Sequence, residues 1–400
     1  MSDVTRDSPS TIPAAQTEFA GLAPLFLIIF LGFLAIGAPL PALSLYVHDG
    51  LGFSPAVVGW TIGIQSLATV LTRHSAGALC DRRGPRRAVL IGLPFAALSG
   101  LFYLASVSAS LGAEARLGLL LIGRLTLGLG ESLFITGAMS WGIARIGPAR
   151  TGKVMSWQGI AMYAAIGLGA PLGLMVQNAC GFAGVACLTI ATPLLAAAIA
   201  LSLPAAAATG GDRTPFHRVF GLIWRPGLVI ALASVPFAAM ATFLALDYAA
   251  HDWSGAGLAL TGFGAGFILV RLVGSHLPDR FGGAKVAACS LAVETLGQAL
   301  LWMAPIPSLA IAGATLTGIG VSLVFPAMGV EATRRVPPEQ RGRAVGNFIA
   351  FFDVAIGLTG PALGLAVGRL GYPSAFLIGA GATLAALAFL RSAVGAKAKP

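Results

Sequence analysis

The sequence predicts an all-α membrane protein of twelve transmembrane helices, arranged as two related six-helix halves. Three observations carry this. Hydrophobic residues make up 56% of the 400-residue chain and charged residues only 10%, with a mean hydropathy of +0.86. A soluble globular chain carries about 25% charged residues. The apolar residues fall in unbroken runs of about 20 residues, the length a helix needs to cross a bilayer. The second half of the chain also repeats the first at nearly constant offset. The same hydrophobicity excludes disorder. Unbroken runs exclude a transmembrane β-barrel, whose strands alternate apolar and polar residues. The 53 Gly and 24 Pro show no Gly-X-Y period, which excludes collagen.

In chain order the runs are 22–46, 56–79, 88–108, 116–143, 153–176, 183–203, 227–249, 256–276, 285–305, 308–332, 343–366 and 373–391. Residues 1–21 form a polar tail, 22–203 the first half, 204–226 a central linker, 227–391 the second half and 392–400 a short tail. The first run is too long for a signal-peptide core, so it is expected to remain as an anchor. Phe216 to Trp224 reads as an amphipathic segment lying on the membrane surface.

The net charge of +10 sits in short loops, which is a topology signal and not a nucleic-acid footprint. Arg6, Arg82, Arg83, Arg86, Arg87, Arg145, Arg150, Lys153, Arg213, Arg218, Arg225, Arg280, Lys285, Arg334, Arg335, Arg341, Arg343, Arg391, Lys397 and Lys399 fall on one side. Only Arg116 and Arg369 fall on the other. The positive-inside rule then puts both termini in the cytoplasm of a cell whose inner (plasma) membrane holds the chain. The remaining bases, Arg73, Arg124 and Arg271, lie within apolar runs.

The repeat is explicit. RHSAGALCDRRGPRR from Arg73 and RLVGSHLPDRFGGAK from Arg271 align at an offset of 198, which pairs Asp81 with Asp279, Arg82 with Arg280, and Gly84 with Gly282. GLGESL from Gly128 aligns with GIGVSL from Gly318, and AIGLGAP from Ala165 with AIGLTGP from Ala355, both at 190. A shorter connection between the ninth and tenth helices accounts for the change. Duplicated halves around a midplane site are a transporter architecture.

At these residues the chain resembles a known family. GALCDRRGPRRA (Gly77 to Ala88) resembles the signature between helices two and three of the major facilitator superfamily. RLTLGLG (Arg124 to Gly130) resembles its fourth-helix arginine motif. GLGAPLG (Gly167 to Gly173) is similar to the fifth-helix antiporter motif of drug–proton exporters, with Ala170-Pro171 in place of the usual Gly-Pro; Gly360-Pro361 keeps that order in helix eleven. IGAPLPALSLYVHDGLGFS (Ile36 to Ser54), VFPAMGV (Val324 to Val330) and LTGPALG (Leu358 to Gly364) resemble the YhhS branch. The resemblance implies the major facilitator fold and a cavity lined by helices one, four, seven and ten with two, five, eight and eleven. It also implies that the Gly77 to Arg87 loop latches the cytoplasmic gate. The cargo stays open.

Within that frame the residues take candidate roles. Gly77, Asp81, Arg82, Gly84 and Arg87, with Asp279, Arg280 and Gly282, form the gate motif. Asp81 at a helix end accepts hydrogen bonds from helix N-termini or arginines, and Gly84-Pro85 makes the turn. Gly167, Pro171, Gly173, Gly360 and Pro361 are helix-packing positions. A charge at the bilayer centre costs at least about 2.5–3.5 kcal/mol, so Glu131 and Asp353, near midspan, are the proton-coupling candidates. Arg124 shares the Glu131 face about 10 Å away, at two helical turns. Gln65, Trp157, Gln158, Tyr163, Asp247, Tyr248 and Asn347 are cavity candidates. Glu294 and Gln298 read as packing residues. Arg73 and Arg271 read as gate structure, either snorkelling or pairing with Asp81 and Asp279. His48-Asp49 and His251-Asp252 sit at an outer vestibule.

No phosphate loop, His-Glu-x-x-His, nucleophile elbow or paired CxxC occurs, and the four cysteines lack metal spacing. We expect no enzyme activity, no cofactor, no metal and no nucleic-acid partner. The expected partners are small-molecule cargo, protons and the lipid bilayer, for a monomer. The expected function is secondary active transport by alternating access, as proton-coupled export of small organic compounds. Proton-coupled uptake of a metabolite or metal chelate stays as the alternative, with a non-transporting receptor or enzyme behind it.

Overall fold

The computed structural model describes residues 14–147, 150–206, 216–333 and 341–395. They are helical throughout, with no strand among the described residues. The helices are α1 (Ala14–Gly37), α2 (Pro39–Leu45), α3 (Pro55–Arg83), α4 (Pro85–Ser106), α5 (Ala113–Ile146), α6 (Thr151–Ser202) and α7 (Phe216–Ala250). They continue with α8 (Ala256–Gly274), the short α9 (Leu277–Phe281), α10 (Gly283–Trp302), α11 (Pro307–Thr333), α12 (Arg341–Leu370) and α13 (Pro373–Gly395).

Among the described residues, eleven segments are long and apolar enough to cross a membrane. One of them, α6, counts twice. Its 52 residues would make a rod of about 78 Å at 1.5 Å per residue, against a hydrocarbon core of about 30 Å. Gly181, at φ 68°, breaks it. A positive φ is costly for any residue with a Cβ, so the chain turns back there and the fifth and sixth spans follow. Twelve spans result, as the hydropathy pattern predicts. The first is interrupted at Ala38, before Pro39, and extends through a π-helical turn to Gly50.

Phe216 to Trp224 is helical and continuous with the seventh span, because α7 runs from Phe216 to Ala250 with Pro226 inside it. The apolar run resumes at Leu228, after Arg225-Pro226-Gly227, and the proline removes only one hydrogen bond of the helix.

Helix ends follow local chemistry. Pro55 and Pro85 sit at the first positions of α3 and α4, where the missing N–H is no loss. Gly84 and Gly282, equivalent in the repeat, close α3 and α9 with φ of 86° and 88°.

Helices α3 and α12 form one close seam and α6 and α8 another, each joining the two halves of the chain. A Cβ on Gly59 would lie 2.1 Å from the Gly360 carbonyl oxygen, and one on Gly63 2.3 Å from that of Gly357. In the other seam a Cβ on Gly257 would lie 2.6 Å from Pro171 Cα, and Thr261 Oγ1 donates to the Gly167 carbonyl at 2.6 Å. The two seams are repeat copies: 59 and 257, and 63 and 261, differ by 198, while 167 and 357 differ by 190. Small residues let helices approach in lipid, where no hydrophobic force drives them together.

Candidate functional site

The seams close one end of the molecule. At the other end the halves part around a cavity of about 1660 Å³. Its lining comes from α1 and α2 (Phe33, Leu40), α3, α5, the first half of α6, α7, α8, α11 and α12. The helices equivalent to spans three, six, nine and twelve are absent from its wall, as the resemblance implies. Asp81, Lys153, Ser275 and Asp279 line the cavity toward the arginine-rich loops, so it opens on that face.

Three clusters hold its polar groups. In the first, Glu131 Oε2 accepts from Gln65 Nε2 at 2.8 Å and from Thr69 Oγ1 at 3.0 Å. This contact requires α3 and α5 to touch; a Cβ on Gly128 would lie 2.2 Å from the Gln65 carbonyl oxygen. The repeat copy is Gly318, whose Cβ would lie 2.0 Å from the Phe263 carbonyl oxygen. In the second cluster, Arg124 is 2% exposed and donates from Nε to the Thr61 carbonyl at 3.1 Å and from Nη2 to that of Ile62 at 2.7 Å. It therefore ties α5 to the α3 backbone and makes no ion pair with Glu131. The third is an ion pair from Arg73 Nη2 on α3 to Asp353 Oδ2 on α12. It joins the two halves of the chain.

That pairing corrects the assignment of Arg73 to Asp81. Arg73 lies eight residues before Asp81 in a straight helix, more than two turns away, and α12 brings Asp353 closer. Arg271 is not paired with Asp279 and has no carboxylate partner among the described residues. Gln65, Trp157, Gln158 and Tyr163 line the cavity as expected. Asp247 and Tyr248 do not. They belong to the last turn of α7 at the closed end, where Tyr248 donates to the Pro307 carbonyl at 3.2 Å and Asp247 Oδ1 lies 3.6 Å from His251 Nδ1. The side chain of Asn347 lies outside the described residues. Gly167, Pro171, Gly173, Gly360 and Pro361 sit at helix contacts; a Cβ on Gly173 would lie 1.8 Å from the Ala38 carbonyl oxygen. Glu294 and Gln298 are fully buried away from the cavity, with Gln298 Nε2 donating to Thr317 at 3.0 Å.

Sequence reasoning missed two contacts. Thr69 was hidden because threonine is common in apolar helices, although it stands one turn from Gln65. At the closed end, Tyr372 hydrogen-bonds His48 Nε2 at 3.0 Å, while His48 Nδ1 meets the Phe53 carbonyl at 2.7 Å. The carbonyl only accepts, so Nδ1 carries the proton and Nε2 accepts from the phenol. Burial, then the charges of Asp49 and Asp247, push the Tyr372 phenol above its ordinary pKa, which keeps it a donor. Arg86, one of the loop bases, caps the end of α6 by donating to the Leu201 carbonyl at 2.7 Å.

A twelve-span helical protein with pseudo-symmetric halves around a one-sided polar cavity is built as a membrane transporter. The family model of the Major Facilitator Superfamily matches residues 25–249 and 237–400, and the chain belongs to that superfamily. It is 42% identical over 373 residues to the MFS-type transporter STM4428 of Salmonella typhimurium, covering 92% of this chain and 96% of that one. Two solved structures share the fold. The nucleoside transporter NupG superposes with a TM-score of 0.72 at 17% identity, covering 93% of this chain and 99% of that one. The Escherichia coli fucose:proton symporter FucP gives 0.65 at 17% identity, covering 94% and 99%.

Proposed function

We propose that this chain is a monomeric, proton-coupled exporter of small organic compounds, working by alternating access in the inner membrane with both termini cytoplasmic. The observation that carries the coupling is the Arg73–Asp353 ion pair between the halves, beside the hydrogen-bonded carboxyl of Glu131 in the same cavity. With the arginine-rich loops inside, the cavity faces the cytoplasm. A proton arriving on Asp353 neutralises the carboxylate, frees Arg73 and loosens α3 from α12. A proton on Glu131 changes what Gln65 and Thr69 hold. The first event alters a contact between the two halves and the second the packing of α3 on α5 beside it, so protonation biases one conformation over the other. Asp81 and Asp279 at the cytoplasmic mouth serve the gate when the cavity faces outward. Export rests on the likeness of Gly167 to Gly173 to the antiporter motif.

The test is flux in proteoliposomes with an imposed pH gradient. For antiport, an acidic lumen drives cargo inward as protons leave. For uptake symport the same gradient drives cargo out. No gradient-dependent flux for any of a broad panel of metabolites and drugs would count against proton coupling.

A further inference from the structure

One cation of the cavity wall makes no ion pair among the described residues. Arg271 on α8 is 9% exposed and lines the cavity wall. Among the described residues it makes no ion pair and no hydrogen bond, and its Nε is buried without a partner. Its guanidinium lies over the Phe267 ring, 4.9 Å from the centroid. The other intramembrane arginines differ. Arg73, its repeat equivalent, is paired with Asp353, and Arg124 donates to two backbone carbonyls. A guanidinium withdrawn from water and left unpaired is costly. It lies beside Gly159 on α6, where an added Cβ would meet Nη2 at ordinary contact distance, 3.9 Å.

The surroundings describe the rest of the ligand. Phe267 packs on Tyr163 with centroids 3.8 Å apart, and Tyr163 in turn meets Phe237 at 5.8 Å. Trp157 and Phe351 also line the cavity. We propose that Arg271 is the docking point for the anionic end of the cargo, and that the cargo is an amphipathic organic carboxylate with an aromatic or otherwise apolar body. The guanidinium offers a planar pair of N–H donors that matches a carboxylate, and the aromatic wall takes the body. Asp353 plays the carboxylate's part for Arg73; its repeat equivalent, 190 residues earlier, is the uncharged Tyr163, so the anion opposite Arg271 is the one that the cargo brings. This reading rests on the chain being a transporter.

The test is binding to the purified full-length protein by isothermal titration, with 2-naphthoate, its neutral counterpart 2-naphthamide and the cation 2-naphthylmethylamine as probes. The wild type should prefer naphthoate over naphthamide by at least about tenfold, the worth of a charge-assisted bond. Arg271→Gln should lose that preference while holding naphthamide as before, which also shows that the variant is folded. Arg271→Lys should retain part of it. Equal binding of the amide, tighter binding of the amine, no binding of any probe, or a preference that survives in Arg271→Gln would overturn the proposal. Binding can fail in this way while gradient-driven flux of another cargo persists. Flux can fail while naphthoate still binds, and then transport is what falls.

Discussion

Arg73 on α3 and Asp353 on α12 form an ion pair between the halves of the chain, with side chains only 18% and 10% exposed. Removing one partner of a buried pair typically costs about 3–5 kcal/mol, because the other charge stays uncompensated. Asp353→Asn should therefore lower the thermal midpoint of the purified protein. Arg73→Gln combined with Asp353→Asn should recover part of the loss. Additive losses in the double variant would show that the two residues do not act as a pair.

Glu131 is hydrogen-bonded by Gln65 and Thr69, and among the described residues no arginine forms an ion pair with it. Glu131→Gln preserves shape and a hydrogen-bonding amide, so the fold should survive. If the carboxyl carries a coupling proton, pH-gradient-driven accumulation disappears in Glu131→Gln, in Asp353→Asn or in both, while exchange of cargo against cargo continues. Full accumulation in both variants rules the coupling role out.

Asp81 is half-buried at the cavity mouth, whereas its repeat copy Asp279 is exposed. Losing a hydrogen bond to a charged group removes about 1.5–3 kcal/mol, enough to shift a two-state gate by roughly ten- to a hundredfold. Asp81→Asn should favour the inward-open state and slow turnover, and Asp279→Asn should do less. Cysteine labels near each end of the cavity report the shift. A larger effect at Asp279, or no change for Asp81→Asn, would make the loop a topology turn and nothing more.

The seam between α3 and α12 leaves no room for a side chain at Gly63. Gly63→Val should pry the closed end apart and raise the accessibility of outer-side labels. Gly381→Ala in α13 meets nothing within 4 Å, and should be neutral or gain up to about 1 kcal/mol from helix propensity. Equal behaviour of the two variants would remove the seam from the gating argument.

Tyr372→Phe deletes the hydrogen bond to His48 and leaves the ring. A net loss of about 0.5–1.5 kcal/mol should shift the population toward outward-open by roughly two- to tenfold. The same labels read it, and an unchanged ratio would mean that the bond bears no load in gating.

The fold was legible because lipid imposes few solutions: run length gave the spans, and the repeat at Asp81 and Asp279 gave the halves. The Phe216 to Trp224 segment was the hardest to read, since a helix entering the membrane and one lying on it begin with the same amphipathic residues. Within the site, Glu131 and Asp353 stood out through the cost of charge in an apolar run. Their partners did not. Arg73 meets Asp353 across 280 residues of chain, and no local spacing encodes such a contact. Asp247 looked like a cavity residue because depth along a helix cannot be told from which end of the bundle is open.

The paired seams have a further consequence. Gly59 meets Pro361 just as Gly257 meets Pro171, so each half presents the same patch to the other. Reciprocity of this kind is the mark of an isologous, two-fold dimer contact, here carried within a single chain. Every lesion in one seam therefore has an unaltered twin 190 or 198 residues away in the same molecule. Comparing twins, Gly63 with Thr261 above all, gives each experiment a built-in reference, and any difference between them measures how far the copies have diverged since they were interchangeable.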